Sequence, residues 1–168
     1  MNWQEVCQIP YLQHIPFKVE LEEGGRLLMS PVSLQHVKLQ SKIQSLLSTL
    51  LKGGEVFCEF PLQITKPEDT GEETIKIPDV VWISYKRIKK IPKRSFASPI
   101  PPEICVEVLS PRNTSKEMLE KQRVYFEKGA LEFWVCDNNG NMDFYNKEGQ
   151  LKHSELVPNF PKKIKPSF

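Results

Sequence analysis

No stretch of this 168-residue chain approaches the roughly 18 consecutive apolar positions that a membrane span needs. The start, MNWQEVCQIP, also lacks the basic lead and apolar core of a secretory signal. These two absences predict a cytoplasmic protein with no membrane partner. Cysteine is sparse and scattered: Cys7, Cys58, Cys105 and Cys136 form no CxxC or Cys/His pair at zinc-binding spacing. Three of them, Cys58, Cys105 and Cys136, fall in strand-like runs where a thiol acts as a small apolar side chain, so all four are expected to be reduced. An excess of one charge sign is missing too, since 23 Lys and Arg against 21 Asp and Glu leave a net +2. That is too small to diagnose a nucleic-acid partner. With 39% apolar and 26% charged residues the chain does not have the composition of disorder, and its length predicts a single domain, 1–168, with its own core.

The basic residues that are present are unevenly placed. Lys86, Arg87, Lys89, Lys90, Lys93 and Arg94 crowd a proline-rich loop from Tyr85 to Pro102, and Lys162, Lys163 and Lys165 crowd the tail. Such clusters can neutralise phosphates, which makes the loop a candidate for backbone phosphate contact. The plainer alternative is a solvated loop.

Periodicity and breakers outline the elements. A helix or irregular lead-in runs to about Pro16. Phe17 to Leu21 and Arg26 to Met29 read as a hairpin turned by Glu23-Gly24-Gly25. Ser33 can cap a helix whose apolar Leu39, Ile43, Leu46, Leu47 and Leu50 recur at helical spacing until Gly53-Gly54. His36 falls on the same stripe, either as a hydrogen-bonded core histidine or as part of a site. Glu55 to Thr65 reads as one long strand, Lys66 to Thr74 as an exposed turn, and Ile75 to Ser84 as a return strand. Glu103 to Leu109 forms another strand, and antiparallel pairing would bring Asp79 and Glu107 together. Thr114 and Glu117 form a T-x-x-E capping box for a helix that ends at Gly129. Strands at Leu131 to Cys136 and Met142 to Tyr145 flank an Asn139-Gly140 turn. Strand, strand, helix, strand implies an α/β or α+β domain with a mixed sheet.

Two acids stand where acids are costly. Glu107 sits inside Ile104-Cys105-Val106-Glu107-Val108-Leu109, and Asp79 opens Val80-Val81-Trp82-Ile83. A carboxylate in such surroundings costs several kcal/mol unless a cation or hydrogen bonds compensate it. Few oxygen ligands, leaving room for water and phosphate, match Mg²⁺, with Mn²⁺ as a substitute. Such an ion would polarise a phosphate and lower the pKa of a bound water. Met118, Lys121 and Tyr125 share one stripe of the capped helix, which puts the Lys121 ammonium on its buried side, where it could stabilise the transition state. Each residue also has a plain reading: Asp79 as a strand cap, Glu107 facing solvent on an edge strand, and Lys121 snorkelling to water.

The runs Ile77-Pro78-Asp79-Val80-Val81-Trp82, Glu103-Ile104-Cys105-Val106-Glu107-Val108-Leu109-Ser110-Pro111, Lys121-x-x-x-Tyr125-x-x-x-Gly129 and Glu132-Phe133-Trp134-Val135-Cys136-Asp137 resemble the Uma-two family. That family is a branch of the PD-(D/E)XK restriction-endonuclease-like superfamily. Met29-Ser30-Pro31-Val32-Ser33-x-x-His36 extends the likeness, which covers about residues 17–146. The resemblance implies a mixed sheet flanked by helices, with an N-terminal β-hairpin and helix. It also implies Asp79 and Glu107 as Mg²⁺ ligands, a catalytic lysine, and a nucleic-acid substrate, DNA, with a homodimer if both strands are cut. The position two after Glu107 holds Leu109 where the superfamily has lysine, and Lys121 is the matching substitute. The departure leaves open a catalytically silent nucleic-acid-binding or interaction module, and a third reading is hydrolysis of a smaller phosphate ester.

Overall fold

The computed structural model describes residues 1–15 and 17–165. Pro16, at the end of the expected lead-in, and the last three residues of the tail lie outside them. In chain order the elements are α1 (Trp3–Cys7), β1 (Phe17–Leu21), β2 (Leu27–Pro31), α2 (Leu34–Leu50), β3 (Gly54–Cys58), β4 (Leu62–Thr65), α3 (Pro67–Thr70), β5 (Thr74–Lys76), β6 (Val80–Ser84), α4 (Tyr85–Ile88), β7 (Ile104–Val108), α5 (Ser115–Lys128), β8 (Glu132–Cys136), β9 (Met142–Asn146) and β10 (Gly149–Leu151). No helix among the described residues is long and apolar enough to cross a membrane.

The long helices begin where the sequence places their caps. Ser33 accepts a hydrogen bond from the His36 backbone N–H at the start of α2, and Thr114 and Glu117 complete a reciprocal capping box on α5. Gly129 ends α5 at φ 122°, a conformation that favours glycine.

The mixed α/β expectation holds, but the sheet is divided in two. A six-stranded sheet, ordered β10-β9-β8-β7-β6-β3, is mixed through the parallel β7–β8 pair. A four-stranded antiparallel sheet is ordered β2-β1-β5-β4. The expected long strand 55–65 is therefore two, with β3 in the larger sheet and β4 in the smaller. The return strand 75–84 is likewise β5 and β6. The breaks contain Pro61 and Pro78, which cannot donate to a ladder and so end one pairing before the next begins. The expected turn at 66–74 holds the single helical turn α3, and the loop after Ser84 opens with α4.

At the first crossing Glu59 adopts φ 53°, alone among described non-glycine residues in taking a positive φ, and its N–H bonds to the Asp79 carbonyl at 3.0 Å. The left-handed region costs a side-chain-bearing residue roughly 1–2 kcal/mol, partly offset by the entropy that glycine loses on folding. Glu59→Gly is expected to raise unfolding stability by about 0.5–1 kcal/mol, and Glu59→Val to lower it. Urea unfolding midpoints at matched slope check both.

Alternation along β6 and β7 decides what each face carries. Val80, Trp82, Ile104, Val106 and Val108 pack with Leu39, Ile43 and Leu47 of α2. Val81 and Cys105 pack on the other face with Val124, Tyr125 and Phe126 of α5. Asp79 and Glu107 follow the period of this second set. All four cysteines are free thiols, as expected.

Candidate active site

Asp79 and Glu107 meet because β6 and β7 run antiparallel. Val80 pairs with Val106, so the next step along the register sets Asp79 opposite Glu107. The Asp79 N–H donates to the Val106 carbonyl at 3.0 Å, and its Oδ2 accepts the Val108 N–H at 2.8 Å. Both acids are buried, at 1% and 2% exposure.

Three elements bring further groups to the pair. From α5, Lys121 Nζ lies 3.2 Å from Glu107 Oε1, and the Tyr125 hydroxyl donates to the same oxygen at 2.7 Å. From α2, His36 Nε2 lies 3.4 Å from Asp79 Oδ1, and Gln40 donates to the Asp79 carbonyl at 2.9 Å. His36 thus stands beside the acid pair. From β1, Lys18 and Glu20 enter. Lys18 Nζ lies 3.0 Å from Asp79 Oδ1, 3.4 Å from Glu107 Oε2 and 3.0 Å from the Ile77 carbonyl. Glu20 Oε1 accepts the Ile77 N–H at 2.7 Å and lies 3.5 Å from Lys121 Nζ. The hairpin pattern places β1 but assigns no role to either residue. Their signal is the alternation Lys18-Val19-Glu20-Leu21, in which Val19 and Leu21 join the apolar cluster around α1 and the charged pair takes the opposite face.

The electrostatics are strongly coupled. Burial pushes the Asp79 carboxyl up, but the Lys18 ammonium, His36 and the Val108 N–H together outweigh it and hold it well below the usual carboxylate range. Glu107 goes the other way. Burial raises it, Lys121 and Lys18 offset this only in part, and the charges of Asp79 and Glu20 raise it further. Burial also opposes the charge on Lys18, yet Glu107, Asp79 and Glu20 keep it protonated.

The donor set fits a cation. Three carboxylates, Glu20, Asp79 and Glu107, face two ammonium groups, Lys18 and Lys121, and the buried Glu20 Oε2 has no hydrogen-bond partner among the described residues. His36 Nδ1 is likewise buried and without a partner among the described residues. Among the described residues, the point charge that touches both Asp79 and Glu107 is the Lys18 ammonium. Among the described residues no three His, Cys, Asp or Glu side chains are placed to close on one ion. A hard cation here would therefore take its protein ligands from the two-carboxylate pair and the rest from water, which suits Mg²⁺ better than a closed all-protein cage.

Other buried acids show what a purely structural carboxylate looks like in this fold. Glu132 accepts from Trp134 Nε1, Ser154 Oγ and the backbone N–H groups of Glu155 and Leu156, all at 2.7–2.9 Å. Glu103 is held by the Ser84 N–H and hydroxyl and by Arg87. Glu107 receives no backbone donor among the described hydrogen bonds. Its partners are the lysines and Tyr125.

The basic loop lies apart from this cluster. It follows Ser84 at the far end of β6, about 17 Å from Asp79 at the rise of an extended strand. Lys86, Lys89, Lys90, Lys93 and Arg94 are exposed. Arg87 is instead taken up by the fold, 3.2 Å from Glu103 and donating to the carbonyls of Pro101 and Gly129 at 3.0 and 3.1 Å. That guanidinium, expected from the sequence to meet a phosphate, is not free to do so.

Residues 3–164 match the model of the Uma2 family, described as "Putative restriction endonuclease". A similar solved structure is described as a "putative nuclease belonging to DUF820 from Anabaena variabilis ATCC 29413". It is 16% identical, covers 90% of this chain and 83% of its own, and superposes at a TM-score of 0.69, a likeness of fold. No curated protein matches this chain.

Proposed function

This chain belongs to the Uma2 family of restriction-endonuclease type, and on that premise we propose that it is a nuclease that hydrolyses phosphodiester bonds in DNA, using Mg²⁺ (or Mn²⁺) held by Asp79 and Glu107. One observation carries the reading: two buried carboxylates from adjacent strands converge on a single cationic atom, whereas the buried Glu132 is satisfied by hydrogen-bond donors of the fold. The ion would supply Lewis-acid polarisation of the phosphate and a more acidic bound water. The chain's own groups do the rest. Lys121, on the buried face of α5, is positioned to offset charge that develops on the phosphate oxygens. Tyr125 and the Val108 N–H fix the orientation of Glu107 and Asp79, and His36 braces Asp79 from α2. Lys18 holds the carboxylates together and would have to give up one or both to a bound ion.

Supercoiled plasmid incubated with purified protein and Mg²⁺ tests the reading. Nicked or linear product is expected with Mg²⁺ or Mn²⁺ and none with a chelator, and linear product appearing at once would mark a two-fold dimer cutting both strands. Intact plasmid under every metal condition would remove the proposal. One observation favours a catalytically silent module instead: the Lys18 ammonium lies against both acids, where an ion would have to sit. Such a module would show no rise in melting temperature with Mg²⁺ or Mn²⁺.

A further inference from the structure

Lys121 lines a cleft of about 420 Å³ that opens between the β1–β2 hairpin and the first turns of α5. Lys121 joins it to the acid pair, because the same ammonium that lines the cleft lies 3.2 Å from Glu107. The cleft lining carries five cations, Arg26, Lys76, Arg112, Lys116 and Lys121, against three acids, Glu22, Glu117 and Glu120. Each acid is already engaged. Glu22 pairs with Lys76, Glu117 closes the cap of α5, and Glu120 bonds to Arg123. Arg26, Arg112 and Lys116 are exposed, and none has an ion-pair partner among the described residues. They come from separate segments, the hairpin, the loop after β7 and α5, yet border one opening. The exposed apolar side chains of Leu28 and Met29 form part of the same wall.

We infer that this cleft is the track for the nucleic-acid backbone, with Arg26, Arg112 and Lys116 each contacting a phosphate and the backbone running over Lys121, while Leu28 and Met29 meet sugars or bases. The inference rests on the nuclease reading for its choice of partner, and it places substrate contact at the cleft rather than at the loop 85–102. Free cations at the rim draw in a polyanion and release its counterions. The buried Lys121 lies beyond them, next to the carboxylates, so a strand held at the rim presents a phosphate to the acid pair. The loop offers exposed lysines of the same kind, but it begins at the end of β6 away from Asp79.

Binding of a fluorescent DNA duplex in chelator, where no cleavage occurs, tests this apart from the chemistry. Three proteins are compared over a range of salt: the unchanged chain, a cleft triple variant (Arg26→Ala, Arg112→Ala, Lys116→Ala) and a loop triple variant (Lys86→Ala, Lys89→Ala, Lys90→Ala). The cleft variant is expected to bind at least roughly tenfold more weakly, and its slope of log affinity against log salt to flatten by about 3, near one unit for each phosphate left without its cation. The loop variant should stay within about twofold of the unchanged chain by the same account. A charge-keeping variant, Arg26→Lys with Arg112→Lys, should retain the slope, which separates lost charge from a damaged fold. The inference is overturned if the cleft variant keeps affinity and slope, or if the unchanged chain shows no salt-dependent binding. Binding through the cleft without cleavage under any metal would sink the nuclease reading alone. Cleavage with an unaltered KM in the cleft variant would sink the cleft alone.

Discussion

Asp79→Asn and Glu107→Gln are each expected to lower Mg²⁺-dependent cleavage of DNA by on the order of a thousandfold, about 4 kcal/mol of transition-state stabilisation. Both changes keep the shape of the side chain while removing the charge that a divalent ion needs from its few protein ligands. Asparagine at 79 can still accept the Val108 N–H, and glutamine at 107 can still accept the Tyr125 hydroxyl, so the fold retains those bonds. A second readout does not depend on turnover. Saturating Mg²⁺ is expected to stabilise the unchanged chain by about 2.7 kcal/mol at a hundred times its dissociation constant, and either variant should lose most of that gain. Variants that cut as fast as the unchanged chain would identify the activity as a contaminant's. A metal-dependent rise in melting temperature that survives both changes would place the ion elsewhere.

Lys18→Met should have the largest effect on stability. The Lys18 ammonium touches Asp79 and Glu107 at 3.0 and 3.4 Å, and its side chain is only 9% exposed. Removing it leaves two buried carboxylates facing each other with Lys121 on one side only. Breaking a buried ion pair by deleting one partner costs about 3–5 kcal/mol, because a desolvated charge is left behind. In chelator the variant is therefore expected to unfold at a markedly lower temperature. Mg²⁺ should then restore much of the loss, since a cation can stand between the carboxylates without displacing an ammonium, and the variant's rise on metal addition should exceed that of the unchanged chain. Equal melting temperatures in chelator would show that the ammonium of Lys18 contributes nothing net. A deficit that metal fails to restore would show that the acids do not share an ion.

Much of the site could be seen in the primary structure, because its chemistry violates local rules. An acid inside Ile104–Val108 and another ahead of Val80–Ser84 are conspicuous against apolar neighbours, and the three- and four-residue spacing of Met118, Lys121 and Tyr125 placed the lysine correctly on the buried face of α5. Lys18 and Glu20 violate nothing. A strand that alternates charged and apolar residues is what any half-exposed hairpin shows, so their burial carried no local signal. The basic loop is the opposite case. Its charges are conspicuous in sequence, but Arg87 is consumed by Glu103 and two carbonyls, and the loop leaves the far end of β6 from Asp79.

Local patterning alone determined the two long helices and their caps, the hairpin, the acids out of place in β7 and ahead of β6, and the family to which the chain belongs, because each depends on short-range periodicity, cap chemistry or a short run of residues. The tertiary structure decided that the two long strands split between two sheets at Pro61 and Pro78, and that the face of β1 bearing Lys18 and Glu20 turns inward onto the acids. It also decided that Arg26, Arg112 and Lys116 share one opening. Which face of a strand is buried, and which distant charge lies against it, is settled by packing between segments far apart in the chain. No local period encodes that.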